Sequence, residues 1–245
     1  MASTSTASGS DATGNELTPG WYGKIAPLGD FAQRRLPPHW VRHCDPWLSE
    51  LMRDLPLALG SHWLDLYLTA PVLRFAWAPG VVDMKWWFGV LMPSCDNVGR
   101  YFPLVIAQQR TDPPVDRAGL DHLERWYAVL AQAAVHTLED AATLESFEQR
   151  LSSAPAFPAS AAAAIPLPDA ANRWQTFSPP STSLPSGLAM LAAGELMERL
   201  AGCTIWSHRA DRTDLTAAPV MPQFQWGPGL PGAQVFGKLL TQAAG

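Results

Sequence analysis

Within the loop Pro93-Ser94-Cys95-Asp96-Asn97-Val98-Gly99-Arg100 stand a hydroxyl, a thiol, a carboxylate and a guanidinium. Ser94, Asp96 and Arg100 are the residue types a hydrolase uses as nucleophile, orienter and oxyanion stabiliser, with Cys95 as an alternative nucleophile. That chemistry needs a histidine base, and no strained G-x-S-x-G elbow surrounds Ser94. Turn chemistry accounts for the same residues: Asp96, Asn97 and Gly99 are turn formers, and Arg100 pairs with Asp96 or caps a carbonyl. A third reading makes the loop an interaction surface, because Arg100 and Tyr101 are the kinds of side chain that dominate interface energetics.

A second cluster is Gly29-Asp30-Phe31 with Arg34-Arg35. Here Asp30 reads as the N-cap of a basic helical start, Gln33 to Leu36, that displays Arg34 and Arg35 to an anion or a partner. His39 and His43 stand four apart with Cys44 beside them, a spacing that suits zinc on a helix face. No acidic or thiol ligand sits at metal spacing nearby, so they read as surface histidines. His62, His122, His136 and His208 are isolated, and no glycine-rich phosphate loop of either standard spacing is present. No catalytic set, cofactor or metal is expected.

These loops need elements to hold them. Three apolar runs, Val72–Ala78, Trp86–Met92 and Tyr101–Ala107, are rich in β-branched and aromatic residues and bounded by Pro, Gly, Asp or Asn. They read as strands joined by short turns. Being apolar on both faces, they require cover on both sides, with Trp86 and Trp87 directed to opposite faces. Turns too short for a crossover make the pairing largely antiparallel. Pro103 implies that the third strand starts later, bulges or lies on an edge, where an exposed edge beside the Arg/Tyr loop would suit docking. Gly20–Ile25 reads as a first strand. Asp45-Pro46 reads as a helix start leading into Trp47, Leu48, Leu51 and Leu55, and Ser61 as the cap of a helix through Trp63, Leu64, Tyr67 and Leu68. A long helix is expected from Arg117 to Leu138, with a stripe of Leu120, Leu123, Tyr127, Leu130, Ala134 and Leu138, then a shorter one from Ala142 to Leu151. Beyond an Ala/Pro-rich loop or linker over 152–170, a strand is expected at Asn172–Phe177 and a helix at Leu188–Leu200 capped by Ser186. A strand at Cys203–Ser207 and a helix at Gln234–Leu240 follow. The fold class is α/β: a single domain over 20–245, its largely antiparallel central sheet covered by helices on both faces in three α/β/α layers. The Ser/Thr/Gly-rich stretch 1–19 is expected to be a disordered N-terminal tail.

Composition narrows the classes of function. In 245 residues, 17 basic and 22 acidic side chains leave a formal charge of −5 with no long basic run, so nucleic acid is a poor partner. The three cysteines are widely separated, which is no disulfide framework and suits reduced cytosolic thiols. The first residues lack the basic start and apolar core of a signal peptide, and no apolar run reaches the 18 or so residues of a membrane span. A cytoplasmic chain without membrane insertion is the expectation.

Three ordered motifs add a resemblance. Trp21-Tyr22-Gly23-Lys24-Ile25 followed by Leu28-Gly29-Asp30-Phe31 and Arg34-Arg35-Leu36-Pro37 resembles the opening of the TagF family, also called ImpM, of type VI secretion system accessory proteins. The family segment W-L-x-x-Y-L-T-A-P-x-x-R-F is matched by Trp63 to Phe75, and G-V-L-M-P-S-x-D-x-V-G-R-Y-F-P-L by Gly89 to Leu104. One departure is Ala26-Pro27, where the family often has Pro two residues after the lysine. The resemblance implies a non-enzymatic cytoplasmic repressor that acts post-translationally by binding the forkhead-associated scaffold protein of the apparatus and limiting its assembly. On that reading the protein-interaction candidates are Asp30, Phe31, Arg34, Arg35, Asp96, Gly99, Arg100 and Tyr101. The alternatives are a small hydrolase using Ser94 or Cys95, and a structural module of the secretion baseplate.

Overall fold

Apolar runs that are greasy on both faces form the middle of the sheet, as their patterning demands. In the computed structural model, which describes residues 18–28, 30–96, 98–157, 184–208 and 224–243, these are β3 (Leu73–Trp77), β4 (Trp86–Met92) and β5 (Leu104–Arg110). All of β4 is buried. Around them lie β1 (Gly20–Lys24), β2 (Phe31–Arg34), β6 (Cys203–His208) and β7 (Phe224–Pro228). The seven strands form one sheet in the order β2-β1-β5-β4-β3-β6-β7, and every neighbouring pair is antiparallel. Two adjacent central strands approach closely at Gly89, where an added Cβ would stand 2.1 Å from the Ile106 carbonyl oxygen.

The helices are α1 (Pro38–Leu59), α2 (Trp63–Thr69), α3 (Arg117–His136), α4 (Leu144–Ser152), α5 (Leu184–Arg199) and α6 (Ala233–Ala243). Helices α1, α2 and α6 bury Trp40, Leu48, Tyr67 and Phe236 against Phe75, Trp77, Trp87 and Trp206 on one face of the sheet. On the other face, Trp126 and Leu130 of α3, Phe147 of α4 and Met197 of α5 meet Trp21, Trp86, Phe88 and Ile106. Trp86 and Trp87 therefore do enter opposite cores, and the three-layer architecture holds.

Several local expectations are corrected. The segment after Asp30 is not a helical start: Phe31–Arg34 pairs with Lys24–Trp21 as an edge strand, its ladder outweighing local preference. Asp45 caps nothing, because α1 begins at Pro38 and runs through Pro46. A proline inside a helix costs about 3 kcal/mol, but Trp40, Cys44, Leu48, Leu51 and Leu55 form one buried seam on both sides of it, and Pro46 itself faces solvent. Ser61 lies in a turn of 3-10 helix without capping α2, and α5 starts before Ser186. Helix α3 ends at His136, and Leu120 and Leu138 of its expected stripe are exposed. Pro103 delays β5 until Leu104 but does not mark an edge, since β5 lies between β1 and β4. Strand β7 had no counterpart in the sequence reading. The expected strand at 172–177 lies outside the described residues, as do 1–17 of the tail and 158–170 of the linker. At the described ends of those stretches, Pro19 and Phe157 are buried.

Candidate protein-interaction surface

The loop between β4 and β5 is held by a single carboxylate. Asp96, whose side chain is fully buried, accepts from Lys24 Nζ at 2.8 Å and Arg100 Nε at 2.7 Å through Oδ2. Its Oδ1 accepts from the backbone N–H of Arg100 at 2.8 Å and of Val98 at 3.2 Å. Burial alone would raise the Asp96 pKa; the Lys24 ammonium, the Arg100 guanidinium and the two backbone N–H groups outweigh it and hold the carboxyl far below the usual range. The chain closes a tight reversal here, with Gly99 N–H bonded to the Asp96 carbonyl at 3.0 Å and φ of 80° at Gly99. Beneath it, Tyr67 of α2 donates its hydroxyl to the Ser94 carbonyl at 3.1 Å.

Lys24 carries this loop onto the N-terminal hairpin. It is a buried cation at the end of β1, and its Nζ lies 4.9 Å above the Phe31 ring. Phe31, 48% exposed, packs edge-on against Phe102 at 4.7 Å. Gly23, with φ of 128°, allows β1 to pass under the loop's exit, where a Cβ would stand 2.0 Å from the Pro103 oxygen. Tyr101 stands against Trp63 and Tyr67 of α2, at 5.9 and 6.0 Å. Phe31, Gly99, Arg100 and Tyr101 thus share one surface over a buried Lys24–Asp96 pair, and exposed Val98 extends it.

The two other basic candidates are not part of it. Strand alternation sends Phe31 and Gln33 to one face of β2 and Arg34 to the other. There Arg35 Nη1 pairs with Glu148 Oε2 of α4 at 2.8 Å, and Arg34 Nη1 approaches Oε1 at 3.6 Å. Trp21 Nε1 also donates to Glu148, at 2.7 Å, and Arg35 Nε to the Pro19 carbonyl at 3.0 Å. Asp30 bonds the next backbone N–H, of Phe31, at 2.7 Å and caps no helix. The arginines clasp α4 to the hairpin. Lys24, Phe102 and Glu148 were missed by sequence reasoning. Glu148 left no signal, being 127 residues from the indole it accepts from; Lys24 could have been suspected as a lone cation inside an aromatic strand.

The hydrolytic constellation is not assembled at Ser94. Its Oγ is buried without a hydrogen-bond partner, so among the described residues no imidazole reaches it. His39 instead bonds Asp83 at 2.8 Å, and His136 bonds Glu139 and Ser146, each at 2.8 Å. Among the described residues no group of three or more His, Cys, Asp or Glu side chains could hold a metal, and no helix is long and apolar enough to cross a membrane.

Residues 20–154 match the family model described as the TagF N-terminal domain, type VI secretion system-associated. The crystal structure of PA0076 from Pseudomonas aeruginosa PAO1 is similar over 91% of this chain and 94% of its own, with 34% identity and a TM-score of 0.69. No curated protein matches the sequence.

Proposed function

Since this chain belongs to the TagF family of type VI secretion system-associated proteins, we propose that it is a cytoplasmic, non-catalytic repressor of that system. It binds the forkhead-associated scaffold component and limits assembly of the apparatus. The observation that carries this reading is the buried Lys24–Asp96 pair, which fixes the β4–β5 loop against the N-terminal hairpin. Phe31, Arg100 and Tyr101 are thereby presented on a rigid base, so their ordering entropy is largely spent before a partner arrives. A half-exposed aromatic beside an arginine is the composition of an interface hot spot.

The test has two parts. Deleting the gene in a secreting strain raises effector export, and overexpressing it suppresses export. In pull-downs with the scaffold, Phe31→Ala and Arg100→Ala weaken capture by about tenfold or more, with melting temperature little changed. Arg34→Ala, on the opposite face, leaves capture intact. Unaltered export in both strains would refute the repressor role, and undiminished capture by the Phe31 and Arg100 variants would refute the surface.

A further inference from the structure

Strand β7 closes the sheet opposite β2, and its Phe-Gln-Trp-Gly-Pro sequence carries no charge. Phe224 and Trp226 are 64% and 62% exposed. Edge strands are ordinarily protected by charge, bulges or cover. The opposite edge has Asp30 and Arg34; β7 has two bare aromatic rings.

Its backbone phase follows from two hydrogen bonds. The Cys203 carbonyl accepts from Ala78 N–H at 2.9 Å, and the Gly202 carbonyl from Gly229 N–H at 2.7 Å. In an antiparallel ladder these roles alternate, so Thr204 and Trp206 bond toward β7, where their register partners are Gly227 and Gln225. The peptide groups of Phe224, Trp226 and Pro228 consequently point away from the sheet. Among the described residues no strand pairs with that edge, and Pro228, without an N–H, ends it after two usable donors.

We propose that this edge pairs with β7 of a second copy of the chain, joining two seven-stranded sheets across a two-fold axis. One register uses both outward donors of each strand and keeps Pro228 out of the ladder. It sets Phe224 opposite Trp226 of the other copy and centres the axis on Gln225. Four backbone hydrogen bonds and two Phe–Trp cross-strand pairs then form, all from one self-complementary patch as an isologous dimer requires. An uncharged strand meets its own image without like-charge repulsion, which a chain of formal charge −5 would otherwise have to overcome. Beside β7 an open cavity of about 340 Å³, lined by Trp206, Gly227, Leu230, Pro231 and Leu239, leaves room for the approaching copy over Gly227, where an added Cβ would meet nothing within 4 Å.

Sedimentation equilibrium of the full chain tests this. The expected result is a reversible monomer–dimer equilibrium that Trp226→Asp and Phe224→Asp each weaken by about tenfold or more, with unchanged melting temperature. Gln225→Cys gives a disulfide-linked dimer on mild oxidation with diamide, because directly opposed residues of a non-hydrogen-bonded pair lie about 4.5 Å apart at Cα. Gln33→Cys, on the other edge, does not. A chain that stays monomeric at its highest soluble concentration overturns the proposal. So does a dimer indifferent to Trp226→Asp, or a Gln225→Cys variant that cross-links no faster than Gln33→Cys.

Discussion

At the scale of single residues, Asp96 does more than a turn former needs to do. Its folded pKa is depressed from an ordinary 3.8, so its contribution to stability is complete above about pH 4. It is lost as the pH falls below that value toward the folded pKa. Asp96→Asn is therefore expected to lower the urea midpoint at pH 7 and to flatten the decline in stability below pH 4, both measurable by denaturation across a pH series. Two glycines give a contrast that tests close packing against backbone conformation. Gly89→Ala pushes a methyl into the Ile106 carbonyl and should cost about 1–3 kcal/mol or more. Gly99→Ala meets no neighbour and should cost only the 1–2 kcal/mol or so of a left-handed residue with a side chain. The resemblance located Asp96, Gly99 and Arg100, and turn chemistry explained their types. Neither could say that the carboxylate's main partner is Lys24, because that contact crosses from β1 to a loop 72 residues later.

At the scale of elements, the clasp formed by Glu148 with Trp21, Arg34 and Arg35 fastens α4 to the edge hairpin. Glu148→Gln should speed amide exchange in β2 and the first turn of α4 while leaving β4 protected, as hydrogen-exchange mass spectrometry would show. Helix α4 also starts with a reciprocal capping box between Thr143 and Ser146, so Thr143→Ala should cost about 1 kcal/mol in equilibrium unfolding. Elements with strong local signatures were legible: β4 came out with its expected bounds, and the long helix started at Arg117 as its pattern implied. Phe31–Arg34 differs from the expected helical start because the few residues after Asp30, whose type also suits a helix cap, have no periodicity long enough to separate helix from strand. Only pairing with β1 decides it. Pro46 misled for the converse reason, since its local veto on helix is overridden by the buried seam from Trp40 to Leu55.

At the scale of the whole molecule, two surfaces at different places on the sheet carry separate proposals, one for the scaffold at the β4–β5 loop and one for a second copy at β7. They are separable by experiment: Trp226→Asp should weaken dimerisation without affecting scaffold capture, and Arg100→Ala should weaken capture without affecting dimerisation. The residue order alone determined the apolar strands buried on both faces, the antiparallel pairing imposed by short connections, the family motifs, and hence the three-layer class. These depend on contacts close in sequence or on burial averaged along a segment, which composition and spacing record directly. Strand order, the separation of Arg34 and Arg35 from Phe31, the Lys24–Asp96 pair and the bare β7 edge were decided only by the tertiary structure. Each arises where distant segments meet, and no single segment carries the information about which partner it will find.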